Sequence, residues 1–278
     1  MKTRILAAIP IAIILIAALI FQSWLLFGLI VVLSFIAQHE MLCAVSAKGD
    51  KAVSVVPYVL CAAVPAILYF NLGFELLMIA IVLAVIALFL ITMFSKEYDY
   101  RSFRNSLVAL IYPEIFFVFI YLTVFKYTSM EWIGANPYIL LLGIITTVFC
   151  DSAAYFVGRA IGKHKLCPEI SPKKTVEGAI GGALGGVVAG FLIWLLFGSG
   201  ITGLSYDMPL WLSLVLGAAV AFISQFGDLS ASFIKRHYGI KDFGKLIPGH
   251  GGILDRIDSM LYAITALYII MHFIEMAG

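Results

Sequence analysis

The sequence predicts an all-α integral membrane protein, a polytopic bundle of about nine transmembrane helices with its N-terminus in the cytoplasm. Three observations lead there. Of 278 residues, 63% are hydrophobic and only 12% charged, whereas a soluble domain averages about 25% charged. The apolar residues gather into nine runs, at about residues 5–20, 23–38, 52–70, 74–94, 105–125, 137–158, 177–197, 209–234 and 257–276, and a membrane helix takes about 20 such residues. With nine crossings, 17 of the 18 Lys and Arg fall on one side and Lys126 alone on the other, the asymmetry that marks cytoplasmic loops. Water-soluble architectures are excluded.

The first run follows Met-Lys-Thr-Arg, like the start of a signal peptide. No small-residue cleavage site follows and the second run begins almost at once, so it reads as a retained helix. The links near residues 21–23 and 71–73 are short enough to make tight helical hairpins. Lys48 and Lys51 close the second run on the basic side, and Lys96, Arg101 and Arg104 precede the fifth. These five spans, residues 1–130, are expected to form a scaffold and dimerisation region. Residues 131–278 are expected to form the catalytic region, four spans with cytoplasmic loops at 159–176 and 235–256. Cys43, Cys61, Cys150 and Cys167 lack CxxC spacing and read as packing. The net charge of +2 gives no basic field for nucleic acid.

The few charges are concentrated. Residues 151–177 carry eight and residues 228–258 carry nine, half of the chain's total. Asp151 lies within the sixth run, where a carboxylate is costly and marks either a ligand site or a hydrogen-bonded packing face. Tyr155 and Gly158 follow it along one helical stripe, with Arg159 beside them. Beyond it, Lys163, Lys165, Lys173 and Lys174 make a basic loop whose Ser171-Pro-Lys-Lys-Thr175 segment leads into the seventh run. Backbone N–H groups at a helix start near Thr175, with two adjacent ammonium groups, suit a polyphosphate. The plainer alternative is attraction to anionic lipid headgroups. Pro172 and Glu177, which bracket the lysine pair, favour the ligand reading. Gly178, Gly182, Gly186 and Gly190 recur four apart, with Gly181 and Gly185 alongside, a face along which helix backbones approach closely in lipid.

In the second window Asp228 interrupts an apolar run, and Asp255 and Asp258 open the last one. A Gly/Pro-rich link between them carries Lys235, Arg236, Lys241, Lys245 and His250. Carboxylates beside a phosphate-binding loop suit Mg²⁺, which takes few protein oxygens and leaves room for water and phosphate. Gly251 and Gly252 permit a nest of backbone donors. Asp258 is read as catalytic, with capping of the final helix or pairing with Arg256 as its structural alternative. Asp255→Asn conserves volume, so on the sequence alone it should abolish turnover and leave the fold intact.

The string Ser232-Phe-Ile-Lys235-Arg236, Lys241-Asp242 and Pro248-Gly-His250-Gly251-Gly252-Ile-Leu-Asp255-Arg256-Ile-Asp258 resembles the signature of phosphatidate cytidylyltransferases. The Asp151-x-x-Ala-Tyr155-x-x-Gly158-Arg159 and SPKKTVEG elements resemble that family's second block, while His39-Glu40 departs from the Trp-Glu pairing many members show. The resemblance implies CTP and phosphatidate as substrates, giving CDP-diacylglycerol and pyrophosphate, in a bacterial inner membrane with the active site facing the cytoplasm. It implies Asp228 and Asp255 as metal carboxylates for one or two Mg²⁺, in some members with a monovalent cation such as K⁺ alongside, and a homodimer. Lys173, Lys174, Thr175, Ser171, Asp151, Tyr155, Arg159, Lys241, Gly251, Gly252, Arg256 and Ser232 become candidate substrate contacts. Lys235, Arg236, His250 and Asp258 join the two metal aspartates as candidate catalytic groups. A CTP-dependent polyprenol-type lipid kinase and an ether-lipid cytidylyltransferase are the neighbouring readings. An ion-coupled transporter is more remote, because the polar motifs occupy one half of the chain and transporters tend to match their halves.

Overall fold

The computed structural model describes residues 24–127, 138–199, 208–247 and 251–277. It is helical apart from one small hairpin. In chain order the elements are α1 (Trp24–Val45), α2 (Val55–Tyr69), α3 (Phe74–Phe94), α4 (Tyr100–Ile111), α5 (Glu114–Tyr127), α6 (Tyr138–Ile161), β1 (Lys165–Cys167), β2 (Ser171–Thr175), α7 (Val176–Ile193), α8 (Leu210–His237) and α9 (Leu254–Ala277). A single π turn, Trp194–Gly198, extends α7.

Seven helical stretches among the described residues are long and apolar enough to cross a bilayer. The expected first run, 5–20, lies outside those residues. The run at 52–70 forms a helix of 15 residues, about 22 Å at 1.5 Å per residue, against a hydrocarbon core of about 30 Å. The fifth run begins earlier than expected and is broken: α4 stops at Ile111 and α5 starts at Glu114, around the cis Tyr112-Pro113 bond. Proline has no N–H and cannot extend the α4 ladder. Asp99 starts α4 with a capping box, its Oδ1 accepting the Ser102 N–H at 2.8 Å while Ser102 Oγ accepts the Asp99 N–H at 3.3 Å. Helix α3 buries little beyond Leu77, Ala84 and Leu88 and exposes most of its other large apolar side chains, as a lipid-facing helix does.

The chain divides into two compact units, Met1–Phe125 with Ile234–Ile257, and Lys126–Phe233 with Asp258–Gly278. The last turn of α8 and the first turn of α9 therefore count with the first unit. Within it, polar ties fix α4 between its neighbours. Gln38 Nε2 donates to the Ala109 carbonyl at 2.9 Å, Asn105 Nδ2 to the Val45 carbonyl, and Tyr238 Oη to Asn105 Oδ1 at 3.0 Å. Where water is scarce, such groups must find partners inside the protein.

In the second unit the glycine stripe of α7 works as the spacing implied, on two faces. A Cβ at Gly181 would lie 2.6 Å from Val157, and one at Gly185 2.7 Å from the Phe149 carbonyl, both on α6. At Gly186 and Gly190 a Cβ would run into the Gly217 and Ser213 carbonyls of α8. Below these contacts Tyr138, Leu142, Ile193, Leu216, Val220 and Leu267 form a buried core. Tyr138 Oη meets Ser213 Oγ at 2.7 Å, and Ser213 Oγ donates to the Gly190 carbonyl at 2.8 Å.

Candidate active site

Within the second unit, α6 ends at Ile161 and the chain turns into the antiparallel β1–β2 hairpin, with Lys165 opposite Thr175 and Cys167 opposite Ser171. The basic segment expected as a loop is thus ordered by strand pairing. Glu177, in the first turn of α7, clamps it. Its carboxylate takes the His164 ring Nδ1 at 2.6 Å and the backbone N–H groups of Lys163 and His164 at 3.1–3.3 Å. Thr175 then starts α7, its Oγ1 accepting the Gly178 N–H at 3.1 Å. Gly158 lets α6 close onto this cap, for a Cβ there would sit 2.9 Å from Thr175 Oγ1.

A cavity of about 340 Å³ opens between the hairpin, α6 and α8. Asp151, Tyr155 and Arg159 line it from α6, Lys173, Lys174 and Thr175 from β2, and Gln225 and Asp228 from α8. Arg159 donates to Tyr155 Oη at 3.1 Å. Asp228 sits within α8, one Oδ 2.7 Å from Lys174 Nζ and the other accepting Ser232 Oγ at 3.4 Å. Its side chain keeps 35% of its surface exposed. One fork, two ammonium groups and two carboxylates therefore converge on one opening, as a polyphosphate with a divalent counter-ion would require.

The first unit holds the other cluster. Helix α8 ends in a Schellman arrangement, Ile240 N–H to the Lys235 carbonyl and Gly239 N–H to the Arg236 carbonyl, with Gly239 at φ +69°. This turn brings the following segment back over Lys235, whose ammonium lies 5.2 Å from the Phe243 ring centroid. Lys235 Nζ is 2.7 Å from Asp255 Oδ1, while Asp255 Oδ2 accepts the N–H groups of Phe243 at 2.8 Å and Gly252 at 3.0 Å. Only 2% of the Asp255 side chain is exposed. Gly251, at φ +86°, bridges back to Ile247 and makes the turn that presents the Gly252 amide.

Other expected residues are placed differently. Arg236 points to the Ile240 carbonyl at 3.3 Å and is exposed, as are Lys241 and Arg256. Ser171 pairs across the hairpin from Cys167 and is absent from the cavity wall. Asp258 is buried in the second unit and accepts the Ser259 N–H at 2.7 Å. His250 lies outside the described residues. Glu40, named at the sequence level only as half of the His39-Glu40 pair and given no role there, is a buried carboxylate in α1 that binds the start of α9 through the amides of Ile253 and Leu254. Its placement in a spanning helix was the available signal.

No group of three or more His, Cys, Asp and Glu suited to a metal occurs among the described residues. Mg²⁺ does not demand one, since it binds through one or two carboxylates and completes its shell with water and phosphate. Asp228 fits that role as it stands, cavity-lining and partly open. Asp255 has the right chemistry, but its oxygens already serve an ammonium and two amides, so a cation there would have to displace Lys235.

The chain matches the family model described as the cytidylyltransferase family over residues 2–274. A phosphatidate cytidylyltransferase of Staphylococcus saprophyticus is 33% identical over 181 residues, covering 65% of this chain and 64% of the relative. One from Aquifex aeolicus is 38% identical over 176 residues, 63% of this chain and 60% of that protein. One from Staphylococcus epidermidis is 36% identical over 132 residues, 48% of each. The chain therefore spans less than two thirds of the length of each of these relatives.

Proposed function

The chain belongs to the cytidylyltransferase family, and from that premise we propose that it transfers the cytidylyl group of CTP to phosphatidate, yielding CDP-diacylglycerol and pyrophosphate for phospholipid synthesis. The observation that carries this reading is the cavity in which Arg159, Lys173 and Lys174 meet Asp151 and Asp228, at one end of membrane-length helices. Here the triphosphate of CTP is held by the hairpin lysines and Arg159. An oxygen of the phosphatidate phosphate attacks the α-phosphorus, forming the new P–O bond as the bond to the β-phosphate breaks, and the electron pair leaves with pyrophosphate. A phosphomonoester is already ionised near neutral pH, its second pKa being about 6, so no strong base is required. The residues bring two anionic substrates together and offset their repulsion. Lys174, fixed by Asp228, gives the triphosphate a charge whose position is set before substrate arrives.

Mg²⁺, when bound, supplies further charge neutralisation, with one or two ions and optionally K⁺ beside them. Asp228 is the carboxylate open to it, whereas Asp255 would hold an ion only if Lys235 first released it. The same reading places nine crossings in a bacterial inner membrane, the N-terminus and the charged windows on the cytoplasmic face, and two copies in a homodimer.

The test is product analysis with CTP labelled at the α-phosphate, using purified protein and phosphatidate in mixed micelles. Label in the lipid fraction with release of pyrophosphate supports the proposal. Unlabelled lipid phosphate with free CDP would replace it by the kinase reading, and transfer only to an ether-linked lipid phosphate would change the substrate.

A further inference from the structure

The glycine-rich segment before α9 is anchored by a residue more than 200 positions earlier in the chain. Glu40 is 5% exposed on α1. Its Oε1 accepts the Ile253 N–H at 3.0 Å and its Oε2 the Leu254 N–H at 2.8 Å. Ile253 precedes the helix, and its carbonyl accepts the first α9 bonds from Arg256 and Ile257. A helix start leaves N–H groups without intrahelical partners, normally met by a Ser, Thr, Asp or Asn at that position. Ile253 has no side-chain acceptor, so Glu40 delivers the cap from another helix. A carboxylate there also opposes the positive end of the α9 dipole.

The backbone is shaped to this carboxylate. A Cβ at Gly244 or at Gly252 would run into it. Gly252 serves two acids at once, wrapping Glu40 with its Cα while its N–H donates to Asp255 Oδ2. Asp255 is the second residue of α9, one step beyond the amides that Glu40 holds. Any shift of this helix start would carry Asp255 away from Lys235 and Phe243.

We infer that Glu40 is a positioning residue for the proposed transfer, capping α9 in trans so that the Gly252 turn and the Asp255 carboxylate hold their geometry. This rests on the reading of Asp255 as part of the machinery. A misplacement of about 1 Å at a reacting site can cost about a hundredfold in rate, which sets the scale of the effect.

The experiment uses the full-length protein in detergent, as wild type, Glu40→Ala and Glu40→Gln. It measures kcat, KM for CTP, and hydrogen exchange across residues 252–256. Glu40→Ala should lower kcat by about tenfold to a hundredfold with KM for CTP within about twofold, and should speed exchange at Ile253 and Leu254. Glu40→Gln keeps the volume and one acceptor oxygen and should fall between, which keeps the test available if Glu40→Ala does not fold. Gly252→Ala should depress kcat in the wild-type background and do so less once Glu40→Ala has vacated the space. Faster exchange with unchanged kcat would reduce Glu40 to a structural cap, and unchanged exchange would remove the cap itself; either overturns the inference. Failure of the wild-type protein to make lipid-linked CMP would instead strike the proposed reaction, while the exchange result would still judge the cap.

Discussion

Replacing Asp255 by Asn, isosteric on paper, should unfold the protein more readily as well as silence it. The carboxylate serves three donors, Lys235 Nζ at 2.7 Å and the Phe243 and Gly252 amides at 2.8 and 3.0 Å. A carboxamide has one acceptor oxygen. If that oxygen keeps the two amides, its NH₂ group faces the ammonium; if it keeps Lys235, the NH₂ group faces two N–H donors. The side chains of Lys235 and Asp255 are 10% and 2% exposed, so water cannot stand in. At this separation and an effective dielectric of about 20, the attraction is about 6 kcal/mol before desolvation. Deleting one member of such a pair typically costs about 3–5 kcal/mol, while replacing both with apolar groups costs far less. Thermal unfolding of the purified protein in detergent, followed by circular dichroism, should therefore rank wild type above Asp255→Asn by about 3 kcal/mol. Asp255→Asn with Lys235→Met should recover most of the loss while remaining inactive. An Asp255→Asn protein as stable as wild type would refute the buried pair, and a double variant no better than the single would refute the stranded ammonium as the cause.

Lys173→Ala combined with Lys174→Ala should raise KM for CTP about tenfold or more, the equivalent of about 1.4 kcal/mol of binding, with a smaller effect on kcat; an unchanged KM in steady-state assays would leave the hairpin with a topological role. Gly186→Ala sets a methyl against the Gly217 carbonyl and Ala221, a backbone contact that cannot yield cheaply, and should lower the unfolding midpoint by the equivalent of about 1–3 kcal/mol, which a wild-type-like midpoint would contradict. At Asp99 the Ser102 amide and hydroxyl hold the carboxyl below its ordinary value of 3.8, so its capping contribution is complete above that value and lost as pH falls through the lower folded-state value. Asp99→Ala should accordingly lower the midpoint at neutral pH, and its gap to wild type should close in strongly acidic buffer; a gap that persists there would show that the cap does not depend on the charged form.

Much of the scaffold could be read directly because lipid imposes a simple rule on composition. The run expected at 74–94 is the helix Phe74–Phe94, residue for residue, since its ends coincide with loss of hydrophobicity. The α7 glycines were legible as packing for a similar reason: spacing alone decides which residues share a helix face. The hairpin was not legible. Ser171-Pro-Lys-Lys-Thr175 has no apolar alternation, and its order comes from pairing with β1, whose approach Glu177 fixes by clamping Lys163 and His164. Nor was the break in the fifth run, where Pro113 sits in sequence apolar enough to pass for one helix. The lysine pair was singled out by its chemistry, but the tie from Lys174 to Asp228 across 54 positions was not foreseen. The Glu40 cap lies further still from local pattern, because Ile253 carries no capping side chain and the acceptor comes from α1.

Each charged cluster is arranged so that most of its own charge is already spent. In the cavity, Lys174 is matched by Asp228, and the formal charges of Arg159, Lys173, Lys174, Asp151 and Asp228 leave an excess of a single positive charge. In the other cluster Lys235 is matched by Asp255, and Glu40 is met by amides in place of a cation. Such pairing suits an integral membrane protein, in which an isolated buried ion is costly. It also leaves the side chains unable to neutralise a nucleoside triphosphate and a phosphomonoester together, which carry several negative charges more than the cavity supplies. For the proposed transfer the balance would come from cations that arrive with the substrate, as they do in phosphoryl transfers generally. This deficit is the physical ground for proposing a divalent ion at Asp228. On that proposal a carboxylate has a place in a pocket for anions: Asp228 fixes Lys174 and keeps a third of its side chain open, surface that a metal arriving with a triphosphate would use.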